Sequence, residues 1–252
     1  MASYIQDEAG TAGYYDPEKN EMGDHYRLSE TTPMYVRHGF VRKVFLIVFL
    51  QLLFSFGFML FAYFVAPVRA FFIRVPYLGY AGALVFFIAS LVISCKPELV
   101  RSKTSSTVAL VLMTPCMALM LTTFCCHFQS IEIAIAAGVT TLVVGLLGLL
   151  ALQTKYDFTS WLSYMIIVGV VFMVFVLISF FFMTKILYLV ISAIGCIIVS
   201  FYILIDIQMI MGGKRKYQFT IDDYCLASII LYSDIISLFM DILRIVSASS
   251  SV

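Results

Sequence analysis

ILYLVISAIGCIIVSFYILIDIQMIM (186–211), GGKRKYQFTIDD (212–223) and YCLASIILYSDIISLFMDILRIV (224–246) form two apolar runs joined by a short charged link. Each run exceeds the roughly 20 residues that carry a helix across a bilayer. Neither alternates polar and apolar residues as a barrel strand does, and a span in lipid must satisfy its own backbone, so both are read as transmembrane helices. Five further runs of the same kind precede them: Val44–Val65, Tyr77–Cys95, Thr107–Phe128, Ile131–Leu152 and Trp161–Met183. The whole chain fits this reading. Of its 252 residues 62% are hydrophobic and 12% charged, with a mean hydropathy of +1.00. Soluble domains run at about 45–50% apolar and about 25% charged, and no soluble fold of this length has an interior large enough for the excess. A soluble enzyme, a secreted disulfide scaffold and a nucleic-acid-binding module are excluded together.

Charge divides the chain into three parts. Residues 1–30 carry seven acids against Lys19 and Arg27, a balance of −5, and the remainder carries 14 basic and 8 acidic residues, a balance of +6. Residues 1–36 are therefore expected to be a disordered acidic segment, 37–246 a transmembrane domain and 247–252 a short tail. With the N-terminus in the cytosol, Arg37, Arg42, Lys43, Lys96, Arg101, Lys103, Lys155, Lys214, Arg215 and Lys216 flank the spans inside, against Arg69, Arg74, Lys185 and Arg244 outside. That bias obeys the positive-inside rule. Lys214, Arg215 and Lys216 read as topology determinants, or as contacts for anionic headgroups. Trp161 reads as an interfacial anchor.

Charges inside the spans are the exceptions that carry information. Asp206 lies in the sixth run, and Asp234 and Asp241 lie in the seventh. A charge at mid-helix costs about 2.5–3.5 kcal/mol on insertion scales, so such residues default to function. The seventh run is either a full span or a re-entrant hairpin, and its acids need shielding from lipid. An all-α bundle with the seventh helix enclosed by the other six is therefore expected. Asp206 stands about 7 Å, and Asp234 about 15 Å, from their helix ends on the same side, and an earlier start of the seventh helix brings the depths together. Two facing carboxyls in a dry site share a proton or hold a cation, with calcium suited to carboxylate and carbonyl oxygens. Asp241 precedes Arg244 by three residues, so an ion pair and a lining position on an ion path are both open. Glu132 suits a helix N-terminus. Gly138, Gly145 and Gly148 suggest close helix approach in the fourth run, and Pro115 a kink in the third. The six cysteines have neither zinc-ligand spacing with histidine nor a setting for disulfides, and read as packing residues.

Several stretches together resemble the transmembrane BAX inhibitor motif family, Lifeguard branch. They are GGKRKY (212–217), DDY (222–224), LYSDII (231–236), FVRKV (40–44), QTKYDFT (153–159) and IDIQ (205–208), in family order over residues 40–246. The resemblance implies a seven-helix protein of Golgi, endoplasmic reticulum or related membranes that lowers stored calcium through a pH-sensitive leak and suppresses apoptosis. It maps the family's paired aspartates onto Asp206 and Asp234, with calcium and protons as the ions handled and no cofactor. A basic latch for the pair would come from a helix end such as Lys96, because Tyr77–Cys95 holds no basic residue. The alternative is a non-conducting protein that binds apoptosis regulators or calcium-release channels. An enzyme is not expected. The Gly-x-Gly-Asp and Pro-Ala-Leu elements of an intramembrane aspartyl protease are missing, and His25, His38 and His127 are too few for a metal hydrolase.

Overall fold

A computed structural model describes residues 5–6, 12–13, 28, 34–182, 184–213 and 215–250. Eight α-helices follow in order among the described residues: α1 (Met34–Phe64), α2 (Ala66–Arg74), α3 (Tyr77–Cys95), α4 (Lys103–Cys125), α5 (Ser130–Gln153), α6 (Leu162–Ser179), α7 (Lys185–Met211) and α8 (Tyr224–Ser250). Seven of them are long and apolar enough to cross a membrane, and α2 is a nine-residue connector. Of the acidic head, Ile5–Gln6 and Ala12–Gly13 pair as a two-residue antiparallel ladder, and Leu28 is buried; the expected disorder of residues 1–36 otherwise falls outside the described residues.

Local chemistry sets the helix ends. Pro67 stands in the first turn of α2, where its missing N–H costs nothing. Ser102 and Thr184 cap α4 and α7 by accepting from the amides of Ser105 and Leu187, each at 3.2 Å. Glu132 takes the place expected of it, closing a capping box with Gln129 at the start of α5 (2.9 Å). Gly212, at φ +62°, ends α7 in a conformation that disfavours side chains, against the backbone of Leu28.

Exposure is inverted relative to a soluble protein. Phe64, Phe181 and Phe182 are among many large apolar residues on the outside, as lipid contact requires. The last span differs from the rest: 67% of its most apolar stretch is buried, against 11% to 44% for the other spans. It packs against α7, α5, α1 and α4, with α3 touching it less. The sixth neighbour of the expected ring, α6, packs mainly on α7. Of the two possibilities for the final run, the structure has one unbroken helix of 27 residues rather than a hairpin.

Two expectations are corrected. A Cβ on Gly138 or Gly145 would meet nothing within 4 Å, and one on Gly148 only Ile207 at 4.0 Å, so α5 does not use its glycines for close approach. The tight crossings are elsewhere, at Gly79 and Gly82 of α3 against Thr123 and the Cys116 carbonyl of α4. The first span also begins well before Val44, at Met34, because its basic first turns have partners: Arg37 donates to the Met211 carbonyl (3.0 Å), and the Lys43 ammonium lies 3.1 Å from the centre of the Tyr224 ring. Pro115 lies inside α4, which continues unbroken past it.

Candidate functional site

Asp206 sits five residues before the end of α7 and Asp234 ten residues into α8. A 3-10 turn, Ile221–Asp223, leads into α8. The two carboxyls interact across the contact between α7 and α8. Asp206 is buried and its Oδ2 has no hydrogen-bond partner, whereas Asp234 is half-buried. A hydrogen bond between two carboxyls requires a proton on one of them, because a carboxylate only accepts. Among the described residues, no salt bridge reaches either acid. Tyr202, one turn before Asp206, lies close enough to feel both, but its hydroxyl donates to the Met165 carbonyl at 2.6 Å. Lys96, the candidate latch, is exposed at the C-terminal end of α3 and is not brought to the pair.

Below the pair, toward the α7–α8 link, the bundle is closed by a network that sequence reading did not single out. Gln208, fully buried, accepts from the Phe158 amide (2.9 Å) and donates to the Tyr156 carbonyl (3.1 Å). Arg215 donates to the carbonyls of Tyr156 (2.6 Å) and Thr154 (3.0 Å), and the Lys216 amide to Asp157 (2.8 Å). Burial opposes ionisation of Asp157, yet bonds from Thr159 and Lys216, with Arg215 nearby, outweigh it and hold its carboxyl below the ordinary value. The link after α5 is thereby tied to the link that joins the two acid-bearing helices. On its other flank, Arg101 pairs with Asp223 at 3.0 Å. The signal was present in QTKYDFT and IDIQ, but their contact spans about fifty residues and nothing local announces it. Arg215 and Lys216 thus serve the network, and Lys214 lies outside the described residues. Trp161 is exposed, with its indole N–H on the Tyr156 hydroxyl (3.0 Å), in keeping with an interfacial anchor.

A second polar cluster, also unforeseen, lies on the opposite face of α8. Tyr232 and Ser55 share a hydrogen bond of 2.6 Å, and Gln51 donates to Thr114 at 3.0 Å, all four side chains being buried. Thr114 directly precedes Pro115 of α4.

Asp241 and Arg244 form an ion pair (2.6 Å). Of the two roles open from sequence, this is the one the geometry displays, with the second carboxylate oxygen packed against Gly195 of α7, where a Cβ would lie 2.6 Å away. All six cysteines are free. No group of three or more histidine, cysteine or acidic residues able to hold a metal ion occurs among the described residues.

Fold and site define a multi-pass helical membrane protein built around a carboxyl pair on its last two spans. Comparison with known proteins narrows this. The model of the family described as inhibitor of apoptosis-promoting Bax1 matches residues 37–251, and the chain belongs to that family. Similar proteins include human protein lifeguard 3, 29% identical over 92% of this chain and 75% of the relative. The mouse protein lifeguard 3 is 27% identical over 93% and 77%. An uncharacterised protein of Campylobacter jejuni is 36% identical over about half of each chain, 48% and 50%.

Proposed function

We propose that the protein is a proton-sensitive calcium leak of intracellular membranes that restrains apoptosis, with Asp206 and Asp234 as its titrating element. The observation that carries this reading is the interaction of two carboxyls from consecutive spans that no salt bridge among the described residues neutralises. While one proton is shared, the pair binds α7 to α8 and the path stays closed. Loss of that proton leaves two like charges in a poorly solvated site, which repel and drive the helices apart. The freed carboxylates then present a cation-selective constriction, through which calcium passes as cargo and is not retained.

The basic flanks place the pair toward the cytosol when the N-terminus is cytosolic, so cytosolic pH is the controlling variable. Membership of the family described as inhibitor of apoptosis-promoting Bax1 supports the anti-apoptotic role. The test is reconstitution in liposomes filled with a calcium indicator, comparing wild type with Asp206→Asn and Asp234→Asn. Flux that responds to pH in wild type and is changed in both variants supports the leak. Absence of any flux, with protection of cells intact, would instead establish a protein acting through binding partners.

A further inference from the structure

At the opposite end of the bundle from the acid pair, α3, α4, α7 and α8 enclose a half-open cavity of about 370 Å³. Its walls include Tyr80, Ala83, Phe124, His127, Tyr188 and Arg244. Among the described residues no carboxylate lines it. Arg244 spends Nη1 on Asp241, and its guanidinium sits over the rings of Phe124 (5.0 Å) and Tyr188 (5.9 Å), while its Nε–H is buried with no acceptor. His127 Nδ1 lies 2.9 Å from the Thr123 carbonyl, which can only accept, so the proton is on Nδ1 and Nε2 is left over. The Thr123 hydroxyl is turned away, donating to Leu119 (2.9 Å).

Arg244 therefore brings unspent donors into a cavity whose other surface is largely aromatic and aliphatic, and His127 Nε2 adds one acceptor. A buried N–H without a partner costs about 1–3 kcal/mol, and a guanidinium satisfies its remaining donors best with a carboxylate or phosphate. We propose that this cavity binds an anionic amphiphile, its carboxylate or phosphate head on Arg244 and its chain along Ala83 and Phe124. Asp241 does not compete for the whole guanidinium: its second oxygen faces Gly195 rather than the cavity. The head thus joins an existing ion pair and leaves it intact. Two sources share this chemistry, a free fatty acid and a phospholipid headgroup.

The full chain, purified in a maltoside detergent, is examined by native mass spectrometry with three probes of one oleoyl chain: oleate, oleoyl lysophosphatidate and neutral monoolein. Retention of either anion about tenfold above monoolein is expected, the size of one charge-assisted contact. Oleate alone identifies the fatty acid as the source, and lysophosphatidate alone identifies the headgroup. Ala83→Phe, which fills the cavity without touching the ion pair, is expected to abolish the preference. So is the double variant Arg244→Gln, Asp241→Asn, which keeps the site neutral. Asp206→Asn is expected to bind as wild type does, so this test fails or succeeds apart from the leak. Equal retention of all three probes, no retention of either anion by wild type, or an unchanged preference in Ala83→Phe overturns the site.

Discussion

The same two helices, α7 and α8, hold acids in two different ways. Asp234 meets Asp206, and Asp241, seven residues or roughly 10 Å further along α8, meets Arg244. The second arrangement is neutral whatever the proton does at its neighbour, and it is locked by the close approach of Gly195. Among the described residues no salt bridge reaches the first arrangement, and we propose that its cohesion depends on a proton. An acid in a membrane bundle is thus structural or responsive according to its partner, not its depth. Asp206 and Asp241 are both over nine-tenths buried, so burial alone does not separate these two acids.

Removing partners separates the two sites most sharply. Arg244→Ala leaves Asp241 buried and unpaired and is expected to cost about 3–5 kcal/mol, read as a lower unfolding temperature with a thiol-reactive dye, since Cys125 and Cys225 are fully buried in the fold. Adding Asp241→Asn to that variant is expected to restore most of the loss. A double variant as unstable as the single one would show that the ion pair is not what the arginine contributes. Gln208→Leu comes next. It deprives the Phe158 amide and Tyr156 carbonyl of a buried partner, and about 1–3 kcal/mol should be lost in the same assay. Because Gln208 is only two residues along α7 from Asp206, the flux of this variant should also respond less steeply to pH.

The smallest effect is at Asp157. Its carboxyl is held below the ordinary value, so its contribution to stability is complete above that value and is lost as pH falls through the depressed one. Asp157→Asn should therefore be less stable than wild type at neutral pH, with the difference closing in acid. A difference that is constant across pH would mean that hydrogen bonding alone, without charge, holds the link.

How much of this was legible depends on the distance over which each contact acts. The seven spans follow from uninterrupted apolar length, and the pairing of Asp241 with Arg244 follows from a separation of three on one helix. Asp206 and Asp234 stood out because few charges lie within the spans. The early start of α1 was hidden, because the charges of Arg37 and Lys43 suggested a membrane boundary whereas their partners, Met211 and Tyr224, come from the far end of the chain. Gln208 and Gln51 were passed over for a similar reason. An uncharged polar residue in an apolar run looks like tolerated noise until the groups opposite it, Tyr156 with Phe158 and Thr114, are known. The glycines of α5 misled because small residues permit close approach but do not compel it, and α5 turns them away from its neighbours.

Calcium flux from liposomes, titrated with pH in wild type, Asp206→Asn, Asp234→Asn and Asp241→Asn, bears on the contrast most directly. The pH response is expected to disappear in the first two variants and to persist in Asp241→Asn, whose acid is neutralised by arginine and not by a proton. A response retained in both members of the pair, or lost only in Asp241→Asn, would place the titrating group elsewhere and contradict the assignment.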